Sequence, residues 1–121
     1  GTWYQVTDQG AREGNYLESS ATALFIYTLA KAINKGYIGN EYIEPTQKAF
    51  DGMVKTFTRL EEDGSYTITN CCAVAGLGGD SKRYRDGSFE YYISEPIIEN
   101  DPKSVGSFIL AAIEYEKMTK K

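Results

Sequence analysis

Carboxylates are the side chains of this sequence best suited to chemistry, because it contains no histidine. That absence excludes Ser-His-Asp and Cys-His triads, histidine zinc sites and a histidine general base. Three acids, Asp86, Glu90 and Glu95, lie close together in YRDGSFEYYISEP. In a strand, residues two apart share a face, so Asp86 and Glu90 could converge. Because surface acids on a strand are far commoner than catalytic pairs, we predict no complete catalytic dyad in this chain.

Aromatic residues interleaved with planar polar groups give a stronger signal. They concentrate in two segments, one near the N-terminus and one before the last helical pattern: Trp3, Tyr4, Tyr16, Tyr84, Phe89, Tyr91 and Tyr92. Flat apolar rings beside amide, guanidinium and carboxylate groups suit a sugar, which offers both C–H faces and hydroxyls. The alternative is that the rings only pack these loops onto helix ends, since Tyr and Trp serve both roles.

A glycine-rich stretch, GLGGDS at residues 76–81, has a superficial likeness to a phosphate-binding loop. Ser81 stands where a third glycine is expected, and the charged segment KRYRDG follows in place of a helix. We therefore interpret the stretch as a tight loop with left-handed turns.

Composition excludes several classes of partner. The chain of 121 residues is 41% hydrophobic and 25% charged, the balance of one soluble globular domain. Its net charge of -4 argues against a surface for nucleic acid or an anionic membrane, because such surfaces need clustered lysine and arginine. No apolar run approaches the roughly 20 residues needed to span a bilayer. Cys71 and Cys72 are adjacent, a spacing that strains a disulfide, so we predict both to be reduced and packed.

Three segments have the marks of helices: residues 19–36, 44–64 and 100–118. Ser19 or Ser20 is the expected N-cap of the first, and Gly36 its left-handed C-terminal residue. Asp101 and Pro102 mark the start of the third. The first and third segments are apolar on most sides, whereas the second has one apolar stripe. That stripe consists of Ala49, Phe50, Met53, Val54, Phe57 and Leu60.

The order buried, amphipathic, buried is typical of a toroid in which one ring of helices encloses another, and differs from a plain three-helix bundle. The long connection at residues 61–100 contains SYTIT and SFEYYISE, which predict short strands and a small hairpin. The first loop leads into the first helix and the long connection into the third. If these two helices are parallel, both loops lie at the same end and form one wall of a cleft.

Four blocks, spread over nearly the whole chain, carry a resemblance to a known family. They are the segment GTWYQVTDQGAREGNYLESSATALFIYTLAKAINKGYI, then CAVAGLGG, RDGSFEYYISEP and NDPKSVGSFILAAIEYE. In order and spacing they resemble the carboxy-terminal part of the unsaturated rhamnogalacturonyl hydrolases. These enzymes form glycoside hydrolase family 105 and are related to the unsaturated glucuronyl hydrolases of family 88.

The resemblance implies a mainly α fold, with residues 1–121 forming the C-terminal part of an (α/α)6 toroid. It also implies that the parent protein removes a 4,5-unsaturated uronic acid from pectin-derived rhamnogalacturonan oligosaccharides. In the family's proposed mechanism an aspartate protonates the vinyl ether double bond, water adds at C5 and the hemiketal opens. Neither a metal nor an organic cofactor is expected.

The family's catalytic aspartate belongs to earlier hairpins, so we assign no catalytic residue here and expect the chain alone to be inactive. Residues carried over as substrate-binding are Trp3, Gln5, Tyr16 and Glu18 in the first loop, and Arg85, Ser88, Glu90 and Tyr91 in the second. Because three helices cannot surround an all-apolar helix, we expect exposed apolar helix faces that favour self-association. The alternative function is a non-catalytic carbohydrate-binding or protein-interaction module.

Overall fold

The computed structural model describes residues 1–120, so the last residue of the predicted unit 1–121 lies outside it. Four α-helices dominate these residues, and the predicted mainly α fold is confirmed. They are α1 (Ser19–Asn34), α2 (Ile43–Phe57), α3 (Phe89–Ser94) and α4 (Pro102–Thr119), with a 3₁₀ turn (Asn40–Tyr42) before α2. Within residues 1–120, none of the helices combines the length and the apolar character needed to cross a membrane.

In the part of the chain that the structure describes, the strands are short and form two antiparallel pairs. One pair joins β1 (Thr58–Leu60) to β2 (Tyr66–Ile68), and the other joins β3 (Cys71–Cys72) to β4 (Ile97–Ile98). The first pair is a hairpin whose turn contains Gly64 at φ +86°, a left-handed conformation that glycine adopts without steric cost. The predicted second helix was too long, because the chain becomes extended at Thr58 and pairs with Ile68.

The prediction of a strand at residues 88–95 is wrong, because this segment contains helix α3. The Ser88 hydroxyl accepts a hydrogen bond from the Tyr91 N–H at 3.1 Å and so caps the helix, while Gly87 at φ +75° turns the chain into it. Asp86 lies before this helix, where it accepts a hydrogen bond from the Ser88 N–H at 2.9 Å, and Glu90 within it pairs with Arg12 at 2.7 Å. Residues 88–95 therefore do not provide the strand face on which the two acids could have converged. The strand expected in SYTIT is present as β2.

Helices α1 and α4 are parallel and in close contact. Near their N-termini the Ser19 and Ser104 hydroxyls are buried and 2.7 Å apart. Toward their C-terminal ends the Asn34 side-chain amide donates to the Glu114 carbonyl at 2.8 Å. Fully buried alanines, such as Ala23 of α1 and Ala111 of α4, suit this close approach. The two N-termini lie side by side, as the sequence analysis predicted.

The core is made where α1, α2 and α4 meet. Its fully buried large side chains include Ile26, Met53 and Phe57. The predicted stripe of α2 is buried at Ala49, Met53 and Phe57 and half-buried at Phe50, but the prediction is wrong for Val54, which is exposed, and for Leu60, which is exposed and lies on β1.

The neighbours that α1 has within residues 1–120 do not cover it on every side. Leu24 and Phe25 of α1 remain 46% and 41% exposed, and Ile109 of α4 is 56% exposed. These helices therefore carry the exposed apolar surface that the sequence analysis expected.

Candidate functional site

Glu18 caps α1 and organises the end of the molecule where the two N-termini meet. Its carboxylate is 1% exposed and accepts hydrogen bonds from the Ala21 N–H (2.7 Å), the Ser20 hydroxyl (2.7 Å) and the Cys72 N–H (3.0 Å). The N-cap is therefore Glu18, and the expectation of Ser19 or Ser20 is wrong. Ser19 is instead bonded to Ser104. The cap ties the first loop, α1 and β3 together.

A cavity of about 340 Å³ opens beside this cap. Its walls come from the first loop, the first turn of α1, the segment after β3 and the start of α4. The lining residues are Gln5, Glu18, Ser20, Ala21, Cys72, Ala73, Val74, Ala75 and Lys103. The fold thus brings Gln5 and Glu18, two of the predicted substrate-binding residues, into one concave surface.

Three lining residues with polar side chains, Ser20, Cys72 and Lys103, were not among the predicted site residues. The Cys72 thiol accepts from the Gln5 amide at 3.3 Å and donates to the Val74 carbonyl at 3.3 Å. The Lys103 ammonium donates to the Ala73 carbonyl at 3.0 Å and to Asp101 at 2.7 Å, and the Asp101 carboxylate raises the pKa of Lys103. Position in the first turn of α4 was the signal that could have identified Lys103.

The two cysteines are free and buried, and the prediction that they are reduced and packed is confirmed. They form β3, whose antiparallel pairing with Ile97 and Ile98 fixes both side chains. Burial raises the pKa of the Cys71 thiol, which suits a packing role.

Tyr16 lies behind the cavity wall. Its hydroxyl is buried beside Cys72, and its backbone carbonyl accepts from the Gln5 N–H at 2.8 Å. The pKa of Tyr16 is raised far above its ordinary value, mainly by burial and then by the neighbouring Cys72 thiol and Glu18 carboxylate.

Replacing Tyr16 with phenylalanine is expected to flatten the loss of stability at alkaline pH. The unfolded chain loses this phenolic proton near pH 10.0, whereas the raised pKa keeps it bound in the folded chain. The unfolded state then binds fewer protons, so the Tyr16 contribution is fully present below about pH 10 and is lost as the pH rises further. Urea unfolding at about pH 8 and about pH 11 measures this slope. Tyr37→Phe, at a residue 78% exposed, is the control. Equal pH slopes in wild type and Tyr16→Phe would contradict the expectation.

Tyr91 and Arg85 reach the edge of the cavity from the second loop. The Tyr91 hydroxyl accepts from the Gly76 N–H at 3.1 Å, and Gly76 directly follows the lining residue Ala75. The Arg85 side chain lies against the same glycine, where a Cβ would be 3.0 Å from its Nη1. Both loops therefore meet at one end of α1 and α4.

The other predicted site residues are engaged elsewhere. Glu90 is 70% exposed at its side chain and pairs with Arg12 at 2.7 Å, while the Arg12 guanidinium lies 3.9 Å from the centre of the Phe89 ring. Trp3 packs edge-on against Phe25 of α1, with ring centroids 5.1 Å apart. Ser88 caps α3. These contacts join the two loops and fix them to the helices.

The cavity offers groups that can form hydrogen bonds with a neutral sugar, but it offers little for acid–base chemistry. Gln5 and Ser20 provide an amide and a hydroxyl, and Lys103 provides an ammonium group. Among the lining residues, Glu18 is the one carboxylate, and three donors of the chain already engage it. Residues 1–120 contain no group of three or more carboxylate or thiol side chains that could hold a metal ion.

The site lies within a stretch that matches a known family. Residues 1–119 match the family model of Glycosyl Hydrolase Family 88. Protein Atu3128 of Agrobacterium fabrum and a 24.9 kDa protein in the picA locus of Rhizobium radiobacter are each 37% identical to this chain over 118 residues. These matches cover 94% of this chain and 51% of each relative, so the chain spans about half their length.

Solved structures resemble the chain over almost all of its length. A family 105 glycoside hydrolase from C. acetobutylicum shares 46% identity and a TM-score of 0.91, over 95% of this chain and 31% of that structure. A possible family 105 member from Klebsiella pneumoniae shares 26% identity and a TM-score of 0.72, over 98% of this chain and 26% of that structure. The fold is thus that of part of a family 105 structure, and the chain belongs to glycosyl hydrolase family 88.

Proposed function

We propose that this chain forms part of a hydrolase that removes a 4,5-unsaturated uronic acid from rhamnogalacturonan oligosaccharides by hydration of the vinyl ether. The observation that carries the proposal is the family match over residues 1–119, together with a cavity lined by the first loop, the first turn of α1, the segment after β3 and the start of α4. Gln5, Ser20 and Lys103 would bind sugar hydroxyls there, while Tyr16, Tyr91 and Trp3 hold the loops in place.

The proton donor for this reaction comes, in the proposal, from a part of the protein outside these residues. Glu18 is fixed as the cap of α1, and Asp86 accepts from the Ser88 N–H at 2.9 Å on an exposed loop. Among the described residues that line the cavity, Glu18 is the one carboxylate and Asp86 is not present, which supports a role for this chain in holding the substrate.

Unsaturated galacturonyl-rhamnose tests the proposal. When this disaccharide is incubated with the full product of the gene, the absorbance of its double bond should fall and rhamnose should be released. Given to residues 1–121 alone, the disaccharide should react at the rate in buffer, because the proton donor is missing. Turnover by residues 1–121 well above the rate in buffer would contradict the proposal that the proton donor lies outside these residues. Binding without turnover by the full product would instead support a non-catalytic carbohydrate-binding module.

A further inference from the structure

The cavity wall contains a chain of hydrogen bonds that passes through the Cys72 thiol. The thiol donates to the Val74 carbonyl at 3.3 Å and accepts from the Gln5 side-chain amide at 3.3 Å, and all three residues line the cavity. A thiol has a single proton, and the Val74 carbonyl takes it, so the sulfur can only accept from Gln5. Gln5 must therefore direct its NH2 group at the sulfur, and this fixes where its carbonyl oxygen lies.

The carbonyl oxygen of the Gln5 side chain is an unused acceptor. Within residues 1–120, no group donates a hydrogen bond to Gln5 Oε1, and this oxygen is not buried. An accessible amide oxygen on a residue that lines a cavity can accept a hydrogen bond from a sugar hydroxyl. The bond to Cys72 thus decides that Gln5 offers a ligand an acceptor in place of a donor.

Both partners of this bond are attached to a fixed backbone. The Cys72 N–H donates to the buried Glu18 carboxylate at 3.0 Å, and Cys72 pairs with Ile97 across β3 and β4. On the other side, the Gln5 N–H donates to the Tyr16 carbonyl at 2.8 Å. The thiol therefore restrains the glutamine side chain from a fixed point. A side chain that is already ordered loses less conformational entropy when a ligand binds to it.

We propose that Cys72 is a positioning residue, whose thiol holds the Gln5 amide so that its carbonyl oxygen accepts from a hydroxyl of the bound sugar. The thiol takes no part in the reaction and acts through Gln5 alone. This inference rests on the proposed function, because it takes the oligosaccharide as the ligand of the cavity.

The kinetics of the full gene product with unsaturated galacturonyl-rhamnose test the inference. In Cys72→Ala the amide is released, so KM should rise about threefold to tenfold, the range expected for one neutral hydrogen bond or one freed side chain. The value of kcat should stay unchanged, because the lost interaction only binds the sugar. Cys72→Val, which fills the place of the thiol without an acceptor, should have the same effect. Cys72→Ser should raise KM less, because a hydroxyl both donates and accepts.

A double substitution separates positioning from a merely structural role. When Gln5 is already alanine, replacing Cys72 with alanine should change KM by less than about twofold, because no amide remains to be positioned. Cys71→Ala is the matched control, since Cys71 is a fully buried thiol on the same strand and does not line the cavity. This control should leave KM unchanged, and urea unfolding reports the stability of each variant.

Three results would overturn the inference and leave the proposed function standing. They are an unchanged KM in Cys72→Val, an equal rise in KM with and without the Gln5 amide, and an equal rise in Cys71→Ala. If the wild type does not turn over the disaccharide, both the inference and the proposed function are overturned.

Discussion

Replacing Glu18 with alanine is expected to lower the free energy of unfolding by about 2–4 kcal/mol. The carboxylate caps α1 and is also the acceptor for the Cys72 N–H, which lies in β3. Its removal takes away the cap and leaves the Ala21 and Cys72 N–H groups without their acceptor in a buried place. Urea unfolding followed by circular dichroism measures the change.

Glu90→Ala is the matched control for this substitution. Glu90 is also an acid of the predicted site, but its side chain is 70% exposed and its partner Arg12 is 47% exposed. Exposed ion pairs contribute less than about 1 kcal/mol, so the change should be small. If Glu18→Ala costs no more than Glu90→Ala, Glu18 does not have the structural role described above.

Exposed apolar helix surface is expected to make residues 1–121, expressed alone, bind a hydrophobic dye and self-associate. Ile109 and Ile113 are 56% and 45% exposed on one face of α4, and Ile109 lines an apolar groove of about 530 Å³ with Tyr66 and Phe108. The double substitution Ile109→Lys and Ile113→Lys should lower dye fluorescence and shift sedimentation toward the monomer.

Tyr37→Ser is the control for that experiment, because Tyr37 is 78% exposed and lies beyond the C-terminal end of α1. It removes an apolar side chain from a different surface and should leave association unchanged. A chain that sediments as a strict monomer at high concentration and binds no dye would contradict the expectation.

Local signals explain why much of the fold could be predicted from the sequence. The start of α4 at Asp101 and Pro102 could be predicted, because the effects of an aspartate cap and of a proline in the first turn depend only on residues adjacent in the sequence. Gly36 follows α1 at φ +71° for the same reason. Glu18 was not predicted as the N-cap of α1, because serine is the commoner cap. The hydrogen bond that Glu18 accepts from the Cys72 N–H favours it, but Cys72 is 54 residues away in the sequence.

The segment around Ser88 shows where local reading fails. Aromatic and β-branched residues favour a strand in SFEYYISE, yet the Ser88 cap and the turn at Gly87 begin a short helix. The cavity could be predicted only in part, because the contact between Gln5 and Cys72 joins residues 67 apart. No period or motif in a single sequence records such a contact.

The fate of the double bond in unsaturated galacturonyl-rhamnose tests the central claim most directly. The full gene product should consume the double bond at the rate at which free rhamnose appears, and should leave saturated galacturonyl-rhamnose intact. Hydration of the vinyl ether requires both results, because the saturated sugar offers no double bond to protonate. Cleavage of the saturated disaccharide at a comparable rate, or release of rhamnose with the double bond unchanged, would contradict the account.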